Sequence, residues 1–335
     1  MAELRPEAWS WHLLGLLNPL IVIGGNIVGG YWVASGAIFM LGLGPLLDVL
    51  MGKAEKPRPP RDSGTPFEAL LYVHALMQFI TLGSLFYFAS QNGINWLLLV
   101  AGISTGINSG ASGIIVAHEL GHTRPRSFSW WVGRANLLSV LYLHFTTEHN
   151  FTHHKYVSTV NDPASAKQGE SVYWFFLRTV PGQFLDAMGV HTRKGRTGLR
   201  NPVIRGFIVQ VLFVAGIYAG LGSAMTVAFL IQAGFAIFLL EYINYIRHYG
   251  LNREIGERQT EMHSWQSEER WSRWTLLELT RHPAHHLKAS EPFWRLQPYD
   301  DAPSLPTGYY GCFWLALIPP LWRRLVDPRI PSSTA

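Results

Sequence analysis

Residues 118–122 read His-Glu-Leu-Gly-His at the end of a long apolar run. Two histidines four apart lie on one helical face, and with the intervening glutamate they form the zinc-protease pattern, two ligands and a general base. Such a site needs one further ligand and an open position for water. The chain offers far more: nine of its 14 histidines fall in four clusters. "HELGH" holds His118 and His122, and "EHNFTHH" holds His149, His153 and His154. "NYIRHYG" holds His248, and "RHPAHH" holds His282, His285 and His286. The i,i+3 and i,i+4 spacings predict that each set faces a common centre. Nine imidazoles are too many for one tetrahedral ion and enough for two ions with four or five each. Imidazole suits Zn, Cu, Fe and Ni alike, so ligand type leaves the metal open. A histidine-rich storage tract would be compositional, which four separated motifs are not.

The elements that must position these clusters are apolar. Of 335 residues 48% are hydrophobic and 15% charged, below the roughly 25% charged of soluble domains. A bilayer core needs about 20 apolar residues per helix. Six segments qualify: about 12–29, 31–51, 67–90, 94–117, 203–221 and 223–246. The breaks within pairs ("IVGGY", "SQNGI", "GLGSA") contain Gly and no Lys or Arg. Six spans therefore put all 27 Lys and Arg, and both termini, on one side. That side is expected to be cytoplasmic by the positive-inside rule, so the net charge of +5 reflects topology rather than nucleic-acid binding. The expected fold is all-α, a six-transmembrane-helix bundle with a cytoplasmic histidine-rich helical cap. One integral-membrane domain covers 1–335, with catalytic segments 118–202 and 247–335. "MAELRPEAWSW" lacks the basic start and cleavage site of a signal peptide, and "KAEKPRPPRDSGTP" reads as a proline-rich linker. "VYWFFLRTVPGQFLDAMG" is too interrupted to span and is expected along the interface, as is "GYYGCFWLALIPPLW", whose double Pro opposes a seventh span. Residues 271–286, "WSRWTLLELTRHPAHH", read as one cytoplasmic helix.

Carboxylates near the clusters are candidates to orient the imidazoles. Glu119 and Asp162 rank first because they lie in or just after a cluster; Glu148, Glu170, Glu278 and Asp300 follow. Asn108, Glu241, Asn244 and Tyr245 are polar groups at membrane depth, where function is common, and are expected in the same supporting role. The Gly/Ser-rich fourth span, "GISTGINSGASGIIVA", suits either a substrate channel or close helix packing. His12 and His74 read as structural, and His144, His191 and His263 as lying outside the ligand set.

"HELGH", "EHNFTHH…NDPASAKQGES", "NYIRHYGL", "RHPAHH" and "LPTGYYG…PPLW…DPR" together resemble the integral-membrane alkane monooxygenases, with the xylene monooxygenases close behind. The wider group includes membrane fatty-acid desaturases and hydroxylases. The resemblance runs from about residue 25 to the end. It implies six membrane helices, two iron ions facing the cytoplasm of a bacterial inner membrane, and the nine clustered histidines as ligands. It also implies terminal hydroxylation of a bilayer-dissolved hydrocarbon with O2 and electrons from rubredoxin. The family's last box usually reads Arg-His-Ser-Asp-His-His; here Pro283-Ala284 replaces the polar pair. With only Cys312, the chain holds neither a disulfide nor the two Cys-x-x-Cys pairs of a rubredoxin, and no nucleotide-binding glycine pattern follows a strand. The donor is therefore expected to be a separate rubredoxin or ferredoxin with an NAD(P)H-dependent reductase; Arg124, Arg126, Arg193, Lys194 and Arg196 suit either the docking of an acidic partner or membrane topology alone. The rival readings are an alkyl-aromatic methyl hydroxylase, a fatty-acyl desaturase and a non-catalytic membrane metal-binding protein. A metal transporter would need ligands at mid-membrane rather than at the helix ends.

Overall fold

The computed structural model describes residues 6–54, 59 and 63–332, so the first five residues and much of the proline-rich linker lie outside it. Four helices long and apolar enough to cross a membrane come first: α1 (Trp9–Val28), α2 (Gly30–Met51), α3 (Thr65–Asn92) and α4 (Trp96–Gly121). Two further helices, α5 (Phe128–Leu138) and α6 (Val172–Thr192), lead to the last such pair. These are α7 (Pro202–Leu221) and α8 (Ser223–His248). The expected six spans are therefore present, each within a few residues of its expected bounds. The tight returns between partners have a local cause. Gly29 and Gly222, at φ 75° and 89°, close α1 and α7 in a backbone region costly for other residues.

The described residues contain no strand, only two isolated bridges. The last segment forms α9 (Arg270–Thr275), α10 (His282–Leu287), α11 (Tyr309–Ala316) and α12 (Pro319–Val326). Here one expectation fails: 271–286 is not a single helix. Leu277 and Glu278 adopt φ of 52° and 55°, which breaks the run. Pro283 then sits in the first turn of α10, where its missing N–H costs nothing. A buried ion network holds the break in place. Arg273 pairs with Glu278 at 2.8 Å and with Glu7 at 2.8 Å, Arg281 pairs with Glu268 at 2.8 Å, and His12 Nε2 meets Glu278 at 3.0 Å. Burial alone would raise the Glu278 carboxyl, but Arg273 and Arg281 hold it well below the usual range. Glu278 thus ties α1 to the turn before α10 and lies away from the imidazoles it was expected to orient. The double Pro opens α12 separately from α11, and neither is long enough to span.

The small residues of α4 serve packing. A Cβ on Gly106 would lie 2.7 Å from the Gln232 carbonyl oxygen, and one on Gly110 would lie 2.9 Å from Leu239 Cβ. This close approach to α8 brings the ends that bear His118 and His248 together. Asn108 also serves packing: it accepts from Asn18 Nδ2 at 3.0 Å, while Gln78 donates to Ser109 at 2.9 Å and Ser109 to Gln232 at 2.8 Å. These bonds cross-link α1, α3, α4 and α8 at membrane depth, so Asn108 joins helices rather than supporting an imidazole.

Candidate metal centre

The four histidine motifs converge at one end of the bundle. α4 delivers His118 and His122, α8 ends on His248, and α10 carries His282, His285 and His286. Residues 149–153 form a π turn. The wider i→i+5 winding, frequent at functional sites, separates His149 from His153.

Two groups result. His118, His122, His149 and His285 bring one nitrogen each to within 4.8 Å of one another, and His153, His248, His282 and His286 do the same. The motifs are therefore shared between groups. "EHNFTHH" sends His149 to the first and His153 to the second, and α10 sends His285 to the first and the pair His282 and His286 to the second. His154 lies between them: its Nε2 is 3.0 Å from His149 Nε2 and 3.1 Å from His285 Nε2, and its ring centroid is 4.7 Å from that of His286. In the second group the Nε2 atoms of His248 and His286 lie 3.1 and 2.8 Å from that of His282.

The donor set fits cations. Each close nitrogen pair can share only one proton, and the buried Nε2 atoms of His118, His122 and His153 have no hydrogen-bond partner. A cation within each group would satisfy the convergent lone pairs. Burial pushes His122 down to about 4. Burial, then the neighbouring His153 and His122, pushes His154 down to about 2. Burial likewise holds His149, His282, His285 and His286 well below their ordinary value. All are neutral at pH 7, the form that binds metal.

Around the second group the orienting contacts are clear. His153 Nδ1 lies 2.9 Å from Asp162 Oδ2, and Asp162 is itself fixed by the Ser165 hydroxyl at 2.6 Å and the Ala164 N–H at 3.0 Å. His248 Nδ1 donates to the His263 carbonyl at 3.2 Å, leaving Nε2 to face the group. Sequence reasoning missed this carbonyl, because a backbone acceptor has no residue-type mark. Glu119 instead accepts the Phe293 N–H at 3.0 Å and bonds no imidazole among the described residues. Glu170 pairs with Arg178 at 2.9 Å, and Asp300 is exposed. Glu148 is buried with Oε1 unpartnered; burial, then the charges of Asp162, Glu241 and Asp186, raises it well above its ordinary value. Glu241 accepts from Gln183 at 2.7 Å, Tyr142 at 2.8 Å and Asn244 at 3.1 Å, and Tyr245 donates to the Glu170 carbonyl at 2.8 Å. His74 bonds Ser112 at 2.7 Å, and the side chain of His263 accepts the Thr260 N–H at 3.0 Å.

An apolar cavity of about 60 Å³, lined by residues of the membrane-length helices α2, α4 and α8 and of α11, reaches the first group. Ile107, Ile114, Leu239, Leu240 and Phe313 line it, and it ends on Phe145, His118 and His149. Gly110 and Ala111 also line it, so the small-residue face of α4 borders a cavity as well as packing on α8.

Comparison with known proteins finds relatives along nearly the whole chain. Residues 94–316 match the family model for fatty acid desaturase. Alkane 1-monooxygenase 1 of Pseudomonas aeruginosa is 36% identical, covering 98% of this chain and 91% of that protein. Alkane 1-monooxygenase of Ectopseudomonas oleovorans is 33% identical, covering 96% and 84%. The hydroxylase component of xylene/toluene monooxygenase from Pseudomonas putida is 32% identical, covering 96% and 88%.

Proposed function

The chain belongs to the alkane 1-monooxygenase family, within the fatty acid desaturase group, and from that premise we propose that it hydroxylates a terminal methyl group of a hydrocarbon with O2 at a di-iron centre. It is a multi-pass membrane oxidoreductase of the monooxygenase class. The observation that carries the finer reading is the apolar cavity ending on His118 and His149, two of nine convergent histidines.

In this reading His118, His122, His149, His154 and His285 hold one iron, and His153, His248, His282 and His286 the other. The bound irons would supply O2 activation and an oxidant for an unactivated C–H bond, chemistry that no side chain provides. The chain's own residues bind and orient. Ile107, Ile114, Leu239 and Leu240 accept an alkyl chain from the bilayer and exclude water, and Phe145 confines the leading methyl beside His118 and His149. Asp162 and the His263 carbonyl hold His153 and His248 in the tautomer that turns Nε2 inward. The positive-inside distribution supports a cytoplasmic centre in a bacterial inner membrane, with residues 1–335 acting as one domain. The only cysteine, Cys312, is buried. Electrons therefore come from a separate rubredoxin or ferredoxin served by an NAD(P)H-dependent reductase. Arg124, Arg126, Arg193, Lys194 and Arg196 offer that carrier a basic face. The xylene/toluene relative, with Phe145, Phe313 and Tyr310 lining the cavity, favours methyl groups on aromatic rings as a second substrate class.

Metal analysis of protein purified under mild conditions tests the centre. Two irons per chain are expected, and His286→Ala should lose iron. One zinc and no iron would overturn the di-iron reading.

A further inference from the structure

A second cavity, outside the hydrocarbon site, opens at the same end of the bundle. Its walls come from α5 (Trp130, Arg134), the segment 143–151, the start of α7 (Pro202, Val203, Gly206), His191 in the last turn of α6 and Arg196 just beyond it; His122 lies on its lining. Four features give it a positive wall and unsatisfied polar groups. His144 is only 8% exposed and its Nε2 has no hydrogen-bond partner. His191, 9% exposed, leaves Nδ1 unpartnered. Arg134 is half-buried against the Trp130 ring, with one N–H on the Leu143 carbonyl at 2.6 Å. Among the described residues no carboxylate lies within salt-bridge distance of Arg134 or Arg196. The fourth feature is the N-terminus of the 20-residue helix α7, which adds a positive dipole end. Burial, and then the Arg134 charge, pushes His144 down to about 4, so it faces the groove as a neutral imidazole able to hydrogen-bond an anion.

We propose that this groove binds the phosphate of an anionic phospholipid from the leaflet on the histidine-bearing side. The bilayer is favoured as the source because the wall continues into the membrane. Gly206 leaves space beside Arg134, whose Nη2 lies 4.0 Å from a Cβ built there, and the next residues of α7 (Phe207, Ile208, Val211, Leu212) are exposed apolar side chains along which acyl chains can lie. Basic pockets between helices near the membrane surface are suited to such headgroups. A lipid seated here would cover the open edge of His122.

Native mass spectrometry of the full chain in mild detergent, titrated with phosphatidylglycerol, phosphatidylcholine or inorganic phosphate, tests the site without reference to catalysis. Phosphatidylglycerol should be retained in preference to phosphatidylcholine, and inorganic phosphate should not displace it. Arg134→Gln should weaken retention roughly five-fold, the worth of one arginine near a membrane surface. Arg134 also holds the Leu143 carbonyl, so Gly206→Leu, which fills the groove and leaves every charge in place, provides the second variant and should also lose lipid. Arg324→Gln, at an exposed position of α12, should change nothing. Equal retention in all variants would overturn the proposal, and displacement by inorganic phosphate would reassign the groove to a soluble anion. Unchanged lipid binding with a raised KM for the reduced electron carrier in the groove variants would give the surface to that carrier instead.

Discussion

Of the six acidic residues that stand near the histidine motifs in sequence, Asp162 alone has an oxygen in hydrogen-bond contact with one of the nine imidazoles. Three contacts fix it, and it turns the Nε2 of His153 toward the second group. Asp162→Asn keeps the shape and removes the charge. It should weaken metal retention by roughly 10–100-fold, the usual cost of losing a partner behind a ligand. Iron content against graded chelator reads this out, and wild-type retention at every chelator level would dismiss the role. The histidines were legible because spacing alone marks them. Glu119 resembles Asp162 in sequence only in lying between two histidines of the chain. Its carboxylate leaves the helix toward the Phe293 N–H, a contact 174 residues away that no local pattern encodes. The His263 carbonyl was illegible for a related reason, since any residue type could supply it.

At the scale of elements, the spans were legible from apolar length and the glycine-bearing breaks. What the sequence hid is where helices depart from α geometry. The π turn at 149–153 sends two histidines of one motif to different groups, and i,i+4 spacing had implied a single face. The break at Leu277 and Glu278 carries no Gly or Asn to announce it, because the left-handed backbone is imposed by the buried ion network around Glu278. The Gly/Ser run of α4 admitted two readings, and the close approach at Gly106 decides for packing there. Gly106→Ala would force its methyl against the Gln232 carbonyl and the Phe235 side chain. It should lower stability by about 1–3 kcal/mol, the typical cost of overpacking a core, seen as a lower melting temperature in detergent. Gly216→Ala, with nothing within 4 Å of the new Cβ, should be tolerated. Equal melting temperatures would mean that α4 and α8 are less tightly held than their packing implies.

In the proposed reading of the whole molecule, two routes meet at one end of the bundle: the apolar cavity for the hydrocarbon and a basic face, with Arg196 beside His122, for the electron carrier. The single cysteine, Cys312, is buried, and the proposed donor is a separate protein. NADH alone should therefore give no product, and a rubredoxin or ferredoxin with its reductase should restore turnover. The rate should fall as salt rises, because exposed charges are screened over about 8 Å at physiological ionic strength. Turnover with NADH and no carrier would refute the separate donor, and a salt-independent rate would move docking to an apolar contact. Product analysis under labelled oxygen tests the central claim most directly. The iron-loaded protein, with carrier and reductase, is given an n-alkane and an alkyl-aromatic under 18O2, and the products are identified by mass spectrometry. The account predicts a primary alcohol carrying one labelled oxygen atom. An alkene, or an alcohol whose oxygen comes from water, would contradict it.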